Sequence, residues 1–271
     1  MQDSEAGPDL DGARAFGETI DFGRAAQDYS THRAGFPPRF FQALADRGLP
    51  APGDRALDIG TGTGTVARGL AAAGARVTGL DPSPDLMAEA EALARANGLA
   101  IDWVQGAAEV LEFPDASFDL VTAGQCWHWF DRPVAAAETA RVLRPGGTLV
   151  IAHFDWLPLL GNVVEATEAL IMAANPAWRM AGGMGIYPGW LTDVSVAGFG
   201  ALETFSFDVA VPYSHAAWRG RIRASAGVRA SLDADATAAF DDDLAALLAR
   251  DFPTDPLSVP HRVWALIAQR P

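Results

Sequence analysis

The stretch RALDIGTGTGTVARGLAAAGARVTGLDPS, residues 55–83, sets Gly60, Gly62 and Gly64 at alternate positions, with Asp58 just ahead of them and Asp81 about twenty positions on. Glycines let a backbone turn sharply and come close to a ligand. The helix that follows such a loop offers N–H groups and the positive end of its dipole. A carboxylate at the tip of the next strand can accept two hydrogen bonds from a ribose diol. Two ligand classes use this device: a dinucleotide, with its pyrophosphate on the helix N-terminus, and S-adenosylmethionine, with its methionine part over the loop. The dinucleotide fingerprint G-x-G-x-x-G requires a glycine where Thr65 stands. Asp58 at the loop mouth repels a pyrophosphate and attracts an ammonium or a sulfonium. Both features favour S-adenosylmethionine.

A second reactive stretch, GQCWHWFD, residues 124–131, carries His128 between Trp127 and Trp129. His128 suits a general base that takes a proton from an acceptor hydroxyl or amine; the alternative is a histidine that shapes the pocket. Trp127 and Trp129 can wall an apolar acceptor or stack on a cation. On a turn, one is expected to point inward and the other outward. Cys126 reads as small filler. Further on, WRGRIR puts Arg219 and Arg223 at i, i+4 on one helix face, either as a clamp for an acceptor carboxylate or as charges paired with nearby acids. Trp156, Trp178, Trp190 and Trp218 lie outside the glycine-loop region, and Trp156 is taken as an acceptor-side residue.

Alternating elements must position these residues. RALDIG, ARVTGLD, AIDWVQG, SFDLVTAGQ and TLVIAHFDW read as five strands, and TVARGLAAAG, PDLMAEAEALARANG and DRPVAAAETARVLRPGG as helices between them. Ser83 suits an N-cap, Pro84 the first helical position and Gly98 the C-terminal stop; Asp131 caps the next helix, and Gly146-Gly147 end it. Strand–helix alternation with short loops makes a parallel sheet covered on both faces, with ligands at the carboxyl ends of its strands. After Trp156 come a helix in LLGNVVEATEALIMAANP, another in GIYPGWLTDVSVAGF, a strand in LETFSFDVAVPYS, two helical segments and a final strand in SVPHRVWALIAQR. Residues 1–17 read as a flexible tail and 18–271 as one domain: 18–50 N-terminal helices, 51–156 the cofactor core, 157–271 the acceptor-side helices and sheet edge.

LDIGTGTG, VTGLDPSPDLMAEA, SFDLVTAGQCWHWFD and RVLRPGGTLVI, taken in order, resemble the class I S-adenosylmethionine-dependent methyltransferases, above all the small-molecule group of menaquinone/ubiquinone-type and trans-aconitate-type enzymes. The resemblance covers about residues 29–152. It implies a Rossmann-like, doubly wound, seven-stranded, mostly parallel α/β sheet with an antiparallel last strand. It also implies that Asp58, Gly60, Thr61 and Gly62 hold the methionine part and that Asp81 and Pro82 meet the ribose. The acid that the family often carries after its third strand for the adenine amino group is replaced by Ala107, so backbone N–H groups of Ala107 and Ala108, or Glu109, substitute. Gln125 lies near the methyl group. In DYSTHRAGFP, Tyr29 covers the cofactor and Arg33 pairs with its carboxylate, or both are surface and packing residues.

The formal charge of −14 disfavours nucleic acid and anionic membranes as partners. The chain has no lysine, which excludes Schiff-base chemistry and a P-loop, and its single cysteine excludes an intrachain disulfide. No run is long and apolar enough to span a bilayer, and the N-terminus lacks the pattern of a secretory signal, so a cytoplasmic, metal-free protein acting on a small organic molecule is expected. The reaction that the resemblance implies is methyl transfer to O, N or C. The alternatives are a nucleotide-dependent oxidoreductase and a cofactor-binding module without catalysis.

Overall fold

The computed structural model describes residues 35–228 and 231–271. The expectations for the tail and for Tyr29 and Arg33 lie outside these residues. The chain divides into two compact units, one of Gly35–Phe154, Tyr187–Phe207 and Val263–Pro271, the other including Asp155–Ile186 and Asp208–Arg262.

The first unit begins with helix α1 (Pro38–Ala45), which starts on a proline at its first position and ends in a turn at Gly48, φ +75°. There follow β1 (Arg55–Ile59), α2 (Thr65–Ala72), β2 (Arg76–Asp81), α3 (Pro84–Ala96), β3 (Ile101–Gln105), β4 (Phe118–Gly124), α4 (Arg132–Val142) and β5 (Leu143–Trp156). Ser83 caps α3 by accepting from the Leu86 N–H at 3.4 Å, and Gly98 follows the helix in the left-handed region, φ +67°. Both are as the sequence implies. The remaining elements are α5 (Val163–Ala174), α6 (Gly189–Val196), β6 (Gly200–Tyr213), α7 (His215–Arg223), α8 (Ala234–Asp251) and β7 (Leu257–Gln269).

The strands form one seven-stranded sheet in the order β3-β2-β1-β4-β5-β7-β6. The first five are parallel: Asp58 lies beside Gly79 on one side and Thr122 on the other, Asp81 beside Gln105, and Gly124 beside Ala152. β7 runs antiparallel to β5. The Gly146 N–H donates to the Arg270 carbonyl at 2.8 Å near one end, and the Leu157 N–H donates to the Pro260 carbonyl at 2.9 Å near the other. Winding reverses between β1 and β4, and the carboxyl ends on either side of that point make the usual crevice of such sheets. β1 and β4 are buried on both faces, with Leu57, Ile59, Leu120 and Val121 wholly inaccessible. β6, at the sheet edge, alternates between half-buried and exposed positions over most of its length.

One boundary differs from expectation. α4 stops at Val142, and the RPGG stretch belongs to β5, where the pairing with β4 slips between Phe118↔Leu143 and Leu120↔Thr148. Pro145 has no N–H to give the ladder, and Gly146 at φ +73° bends the chain back into register. The glycines signal a strand irregularity here rather than a helix stop. The side chain of Asp131 makes no capping bond, although Asp131 is the N-cap residue of α4.

The second unit has its own core, in which Trp178, Tyr213, Trp218, Ile222, Phe240, Leu244 and Leu248 meet α5 residues Val163, Val164 and Ile171. The Trp218 indole N–H donates to Thr167 Oγ1 at 3.1 Å, and that hydroxyl donates to the Val163 carbonyl at 2.6 Å.

Trp103 on β3 lies across its β2 neighbour Gly79 and reaches the glycine loop. A Cβ at Gly79 would fall 2.5 Å from the indole and one at Gly64 2.9 Å. The expected result for Gly79→Val is a loss of about 1–3 kcal/mol from overpacking, read as a lower urea midpoint. Gly98→Asn, where a Cβ meets nothing within 4 Å and asparagine tolerates the left-handed turn, should stay near wild type.

Candidate functional site

In the first unit the glycine loop hangs from the tip of β1 with Gly60, Gly62 and Gly64 all in the left-handed region, φ +61°, +55° and +76°. A side chain is strained at each of them. Two are also packed against protein. A Cβ on Gly60 would meet Cys126 Sγ at 2.8 Å and the Phe130 ring at 3.0 Å, and one on Gly64 would meet Trp103 and Ala90. The loop is therefore moulded on its inner side by β3, α3 and the turn after β4.

Asp58 and Asp81 brace this loop from within. Asp58, 1% exposed, accepts from Thr61 Oγ1 at 2.6 Å, Thr122 Oγ1 at 2.6 Å and the Ala67 N–H at 3.2 Å. Burial is the largest influence on it and pushes its carboxyl up to about 6, against the three donors; the nearby charge of Asp81 pushes the same way. Asp58 thus faces the loop's own donors. Asp81, 6% exposed, accepts from the Gly62 N–H at 2.8 Å on one oxygen and the Ser83 N–H at 2.9 Å on the other. Burial also raises its carboxyl above the usual range. Each Asp81 oxygen carries two lone pairs and spends one on these bonds, so it keeps one for a ligand hydroxyl. The Thr61 N–H donates to the Leu80 carbonyl at 3.0 Å, so the loop is tied to the tip of β2 twice over. Pro82 is exposed at that tip.

Beyond β3, Ala107 is exposed and Ala108 buried. Glu109 accepts through Oε1 from the N–H of Asp131, the N-cap residue of α4, at 2.8 Å. At the tip of β4, Gln125 takes φ +67°, a left-handed conformation that costs a non-glycine residue energy and that often marks functional sites. Its amide N–H donates to the Ala152 carbonyl at 2.9 Å and its side-chain amide to the Phe154 carbonyl.

The Trp127–Trp129 stretch is a single 3₁₀ turn. Trp127 is wholly buried and donates to Asp193 Oδ2 of α6 at 3.2 Å, whereas Trp129 is half-buried. Trp127 is the inward one of the pair. Full burial keeps Trp127 off any solvent-facing wall. His128 is 4% exposed, and its Nδ1 lies 3.1 Å from His153 Nε2. Cys126 donates from Sγ to the Ile59 carbonyl at 3.2 Å, a packing position beneath the loop.

In the second unit, Trp156 donates to Glu168 Oε1 at 2.7 Å. Glu168 is 4% exposed and also accepts from the Gly182 N–H at 2.8 Å; burial raises its carboxyl above the usual range. Arg219 and Arg223 do share a helix face, and that face is turned to α8. Arg219 Nε donates to Asp241 Oδ1 at 3.0 Å and Arg223 Nη1 to the same oxygen at 2.8 Å. Burial opposes the ionisation of Asp241, yet the two guanidiniums hold its carboxyl below the usual range. The pairing with a nearby acid, rather than the carboxylate clamp, describes these two arginines. Arg221, on the opposite face, lies over the Trp156 ring at 4.6 Å. Spacing alone favoured its neighbours because a pair at i, i+4 looks like a clamp, and a single arginine between them gives no such signal. His153, Thr122 and Glu168 were likewise missed; nothing local in the sequence marks their partners. Among the described residues no cluster of histidine, cysteine and carboxylates suits a metal ion.

Residues 57–151 match the family model described as a methyltransferase domain. An uncharacterized methyltransferase of Mycobacterium tuberculosis is 35% identical over 152 residues, which cover 54% of this chain and 59% of that protein. The chain thus spans less than two thirds of the curated relatives first matched. The YcgJ protein of Bacillus subtilis shares the fold with a TM-score of 0.57 at 21% identity, over 86% of this chain and 98% of that one. Phosphoethanolamine N-methyltransferase 2 of Haemonchus contortus, solved with phosphomonomethylethanolamine and S-adenosylhomocysteine, shares it with a TM-score of 0.55 at 20% identity, over 92% of this chain and 57% of that one.

The raised carboxyl of Asp58 has a consequence for stability. Between its unfolded value, 3.8, and its folded value, about 6, the folded chain binds a proton that the unfolded chain does not. Stability from this group is therefore complete below the first value and is lost as pH rises through the second, by about 3 kcal/mol. In the ligand-free protein, urea midpoints should fall across this window more steeply for wild type than for Asp58→Asn. Parallel curves would show that Asp58 is no more costly to ionise folded than unfolded.

Proposed function

We propose, from the premise that residues 57–151 belong to the methyltransferase-domain family, that this protein transfers a methyl group from S-adenosylmethionine to a small organic acceptor. The observation that carries the reading is the pair of buried carboxylates, Asp58 and Asp81, at the glycine loop. A pyrophosphate brought to that loop would meet the Asp58 carboxylate at its mouth, whereas the ammonium and sulfonium of S-adenosylmethionine would meet a charge of opposite sign; Asp81 suits the ribose of either ligand. The donor set fits this cofactor in a second way: the remaining lone pairs of Asp81 match a ribose diol. When bound, the cofactor supplies an electrophilic methyl group on a cationic sulfur.

The chain's own residues then have distinct tasks. Gly60, Thr61 and Gly62 present the loop backbone to the methionine part, and Asp58 keeps that backbone in shape while lending it negative charge. Asp81, with Pro82 beside it, grips the sugar. Ala107 and Ala108 present backbone to the adenine, with Glu109 serving the start of α4. Gln125, held by strand β5, borders the methyl group. Trp129 shields the reacting centre from water, and His128 takes the acceptor's proton. Tyr29 and Arg33 complete the cofactor contacts from the N-terminal segment. Most of the rate acceleration expected of such a site comes from alignment and exclusion of water, with the base adding about 10²–10⁴-fold.

Two measurements test this. In titration calorimetry, wild type should bind S-adenosylmethionine and S-adenosylhomocysteine but not NAD. Asp81→Ala should weaken both by about 10–100-fold, the value of hydrogen bonds to a charged group. Unaltered affinity in Asp81→Ala would remove the sugar-binding role. His128→Gln should cut product release by about 10²-fold or more while cofactor affinity stays within about threefold.

A further inference from the structure

The tip of β3 carries a polar side chain that is tied to the tip of β2. Gln105 ends the strand, is exposed, and stands beside Asp81 in the sheet register. Residues paired across a sheet send their side chains to the same face, so Gln105 stands on the Asp81 side of β3. Its side-chain amide donates from Nε2 to the Pro82 carbonyl at 3.2 Å and so reaches the residue next to Asp81. A glutamine amide can in general present either end to a ligand. Here one end is committed. A carbonyl only accepts, so the NH2 must face Pro82, and Oε1 faces away from it. The Gly106 N–H donates to the Asp81 carbonyl at 3.2 Å. The β2 and β3 tips are therefore joined twice, once through the Gln105 side chain and once through the backbone that follows it.

Ligands of a doubly wound sheet lie outside the carboxyl ends of its strands. The sheet runs β3-β2-β1 on this side of the winding reversal. With the methionine part over the loop after β1 and the ribose at Asp81 on β2, the base hangs from the far side of the sugar. It then comes to the next strand tip, about 5 Å on, which is the tip that Gln105 occupies. Of the side chains that follow β3, that of Ala107 has no polar atom, and Glu109 Oε1 is engaged by the Asp131 N–H at 2.8 Å. We infer that Gln105 reads the base: Oε1 accepts from the 6-amino group of adenine, and the Pro82 carbonyl, by holding the amide one way round, makes the residue select a 6-amino over a 6-oxo purine. This rests on the S-adenosylmethionine reading of the glycine loop and names the residue that sets base specificity within it. A 6-amino group brings an N–H to the fixed oxygen; a 6-oxo group brings a second oxygen, and two acceptors then face each other. A glutamine free to turn its amide would serve both bases. The bond to Pro82 removes that freedom, so selectivity comes from an anchor that never touches the ligand.

Titration calorimetry with S-adenosylhomocysteine and S-inosylhomocysteine, which carry a 6-amino and a 6-oxo purine on the same sugar and amino acid, tests this. Both compounds are neutral at sulfur, so the comparison does not involve the charge of Asp58. Wild type should bind the adenine compound about tenfold tighter, the worth of one hydrogen bond made in the first complex and lost in the second. Gln105→Met, similar in length and without the amide, should bring the two compounds within about threefold of each other. The change should come from the adenine compound, which weakens by about 3–10-fold. Affinity for the inosine compound should stay within about threefold of wild type, and that binding also shows the variant to be folded. A residue that merely braces the β2 tip behaves differently: Gln105→Met would then weaken both compounds alike and leave their ratio at the wild-type value. That result overturns the inference, as does a wild type that binds the two compounds equally. Wild type that fails to bind S-adenosylhomocysteine at all overturns the cofactor reading, and this inference with it, so the two failures are told apart by the first titration.

Discussion

The site depends on a carboxylate buried where strand β1 gives way to its loop. Asp58 draws hydrogen bonds from Thr61 in the loop, the Ala67 N–H in α2 and Thr122 in β4. One side chain thereby joins the strand, the loop, the helix and the neighbouring strand across the winding reversal. Burying a charge is costly, and its donors only partly compensate, as the upward displacement of the carboxyl shows. A second acid, Asp81, stands on the far side of the same loop and makes the ionisation of the first harder. Two acids held this close do not serve stability. Their arrangement makes physical sense when a cation occupies the loop, because a positive charge then relieves both at once.

The features legible in the sequence are those with local causes. The glycine loop, the Ser83 cap, the Gly98 stop and the five parallel strands each follow from neighbouring residues and from short-range periodicity. The period-2 pattern of residues 202–214 marked a strand for the same reason, and β6 spans Gly200–Tyr213. What escaped is tertiary. Thr122 braces Asp58 from 64 positions away, and no pattern in either segment points to the other. The RPGG stretch carries strong helix-stop residues, yet the pairing partner that turns it into an irregular strand start comes from β4 and from Arg270 near the chain's end. The helix period places Arg219 and Arg223 on one face correctly, but which face meets Asp241 is a packing fact.

The glycines themselves show how function and packing share a residue. A glycine-rich loop is commonly read as making room for a ligand. At Gly60 and Gly64 the missing side chain makes room for Cys126, Phe130 and Trp103 instead, all within 3.0 Å of a hypothetical Cβ. The inner surface of the loop is thus filled by protein. Three of its backbone N–H groups are committed within the protein: Gly62 to Asp81, Thr61 to the Leu80 carbonyl and Gly64 to the Thr61 carbonyl. The conformation is fixed before any ligand arrives, which reduces the ordering cost of binding.

Cys126 shows how the reacting turn is placed against this loop. Its thiol meets the Ile59 carbonyl at 3.2 Å and lies directly beneath Gly60. Two residues later comes His128, and the intervening Trp127 anchors the turn to α6 through Asp193. Asp193 in turn lies 3.5 Å from the Arg132 guanidinium at the start of α4, and the N–H of the N-cap residue Asp131 is held by Glu109 from beyond β3. The turn is therefore pinned from the glycine loop, from α6 and, through α4, from the segment after β3. Such redundancy suits a reaction in which misalignment by about 1 Å can cost 10²-fold in rate. The place of the Cys126 thiol is set by the carbonyl it meets and the glycine it covers, which is what a packing residue requires.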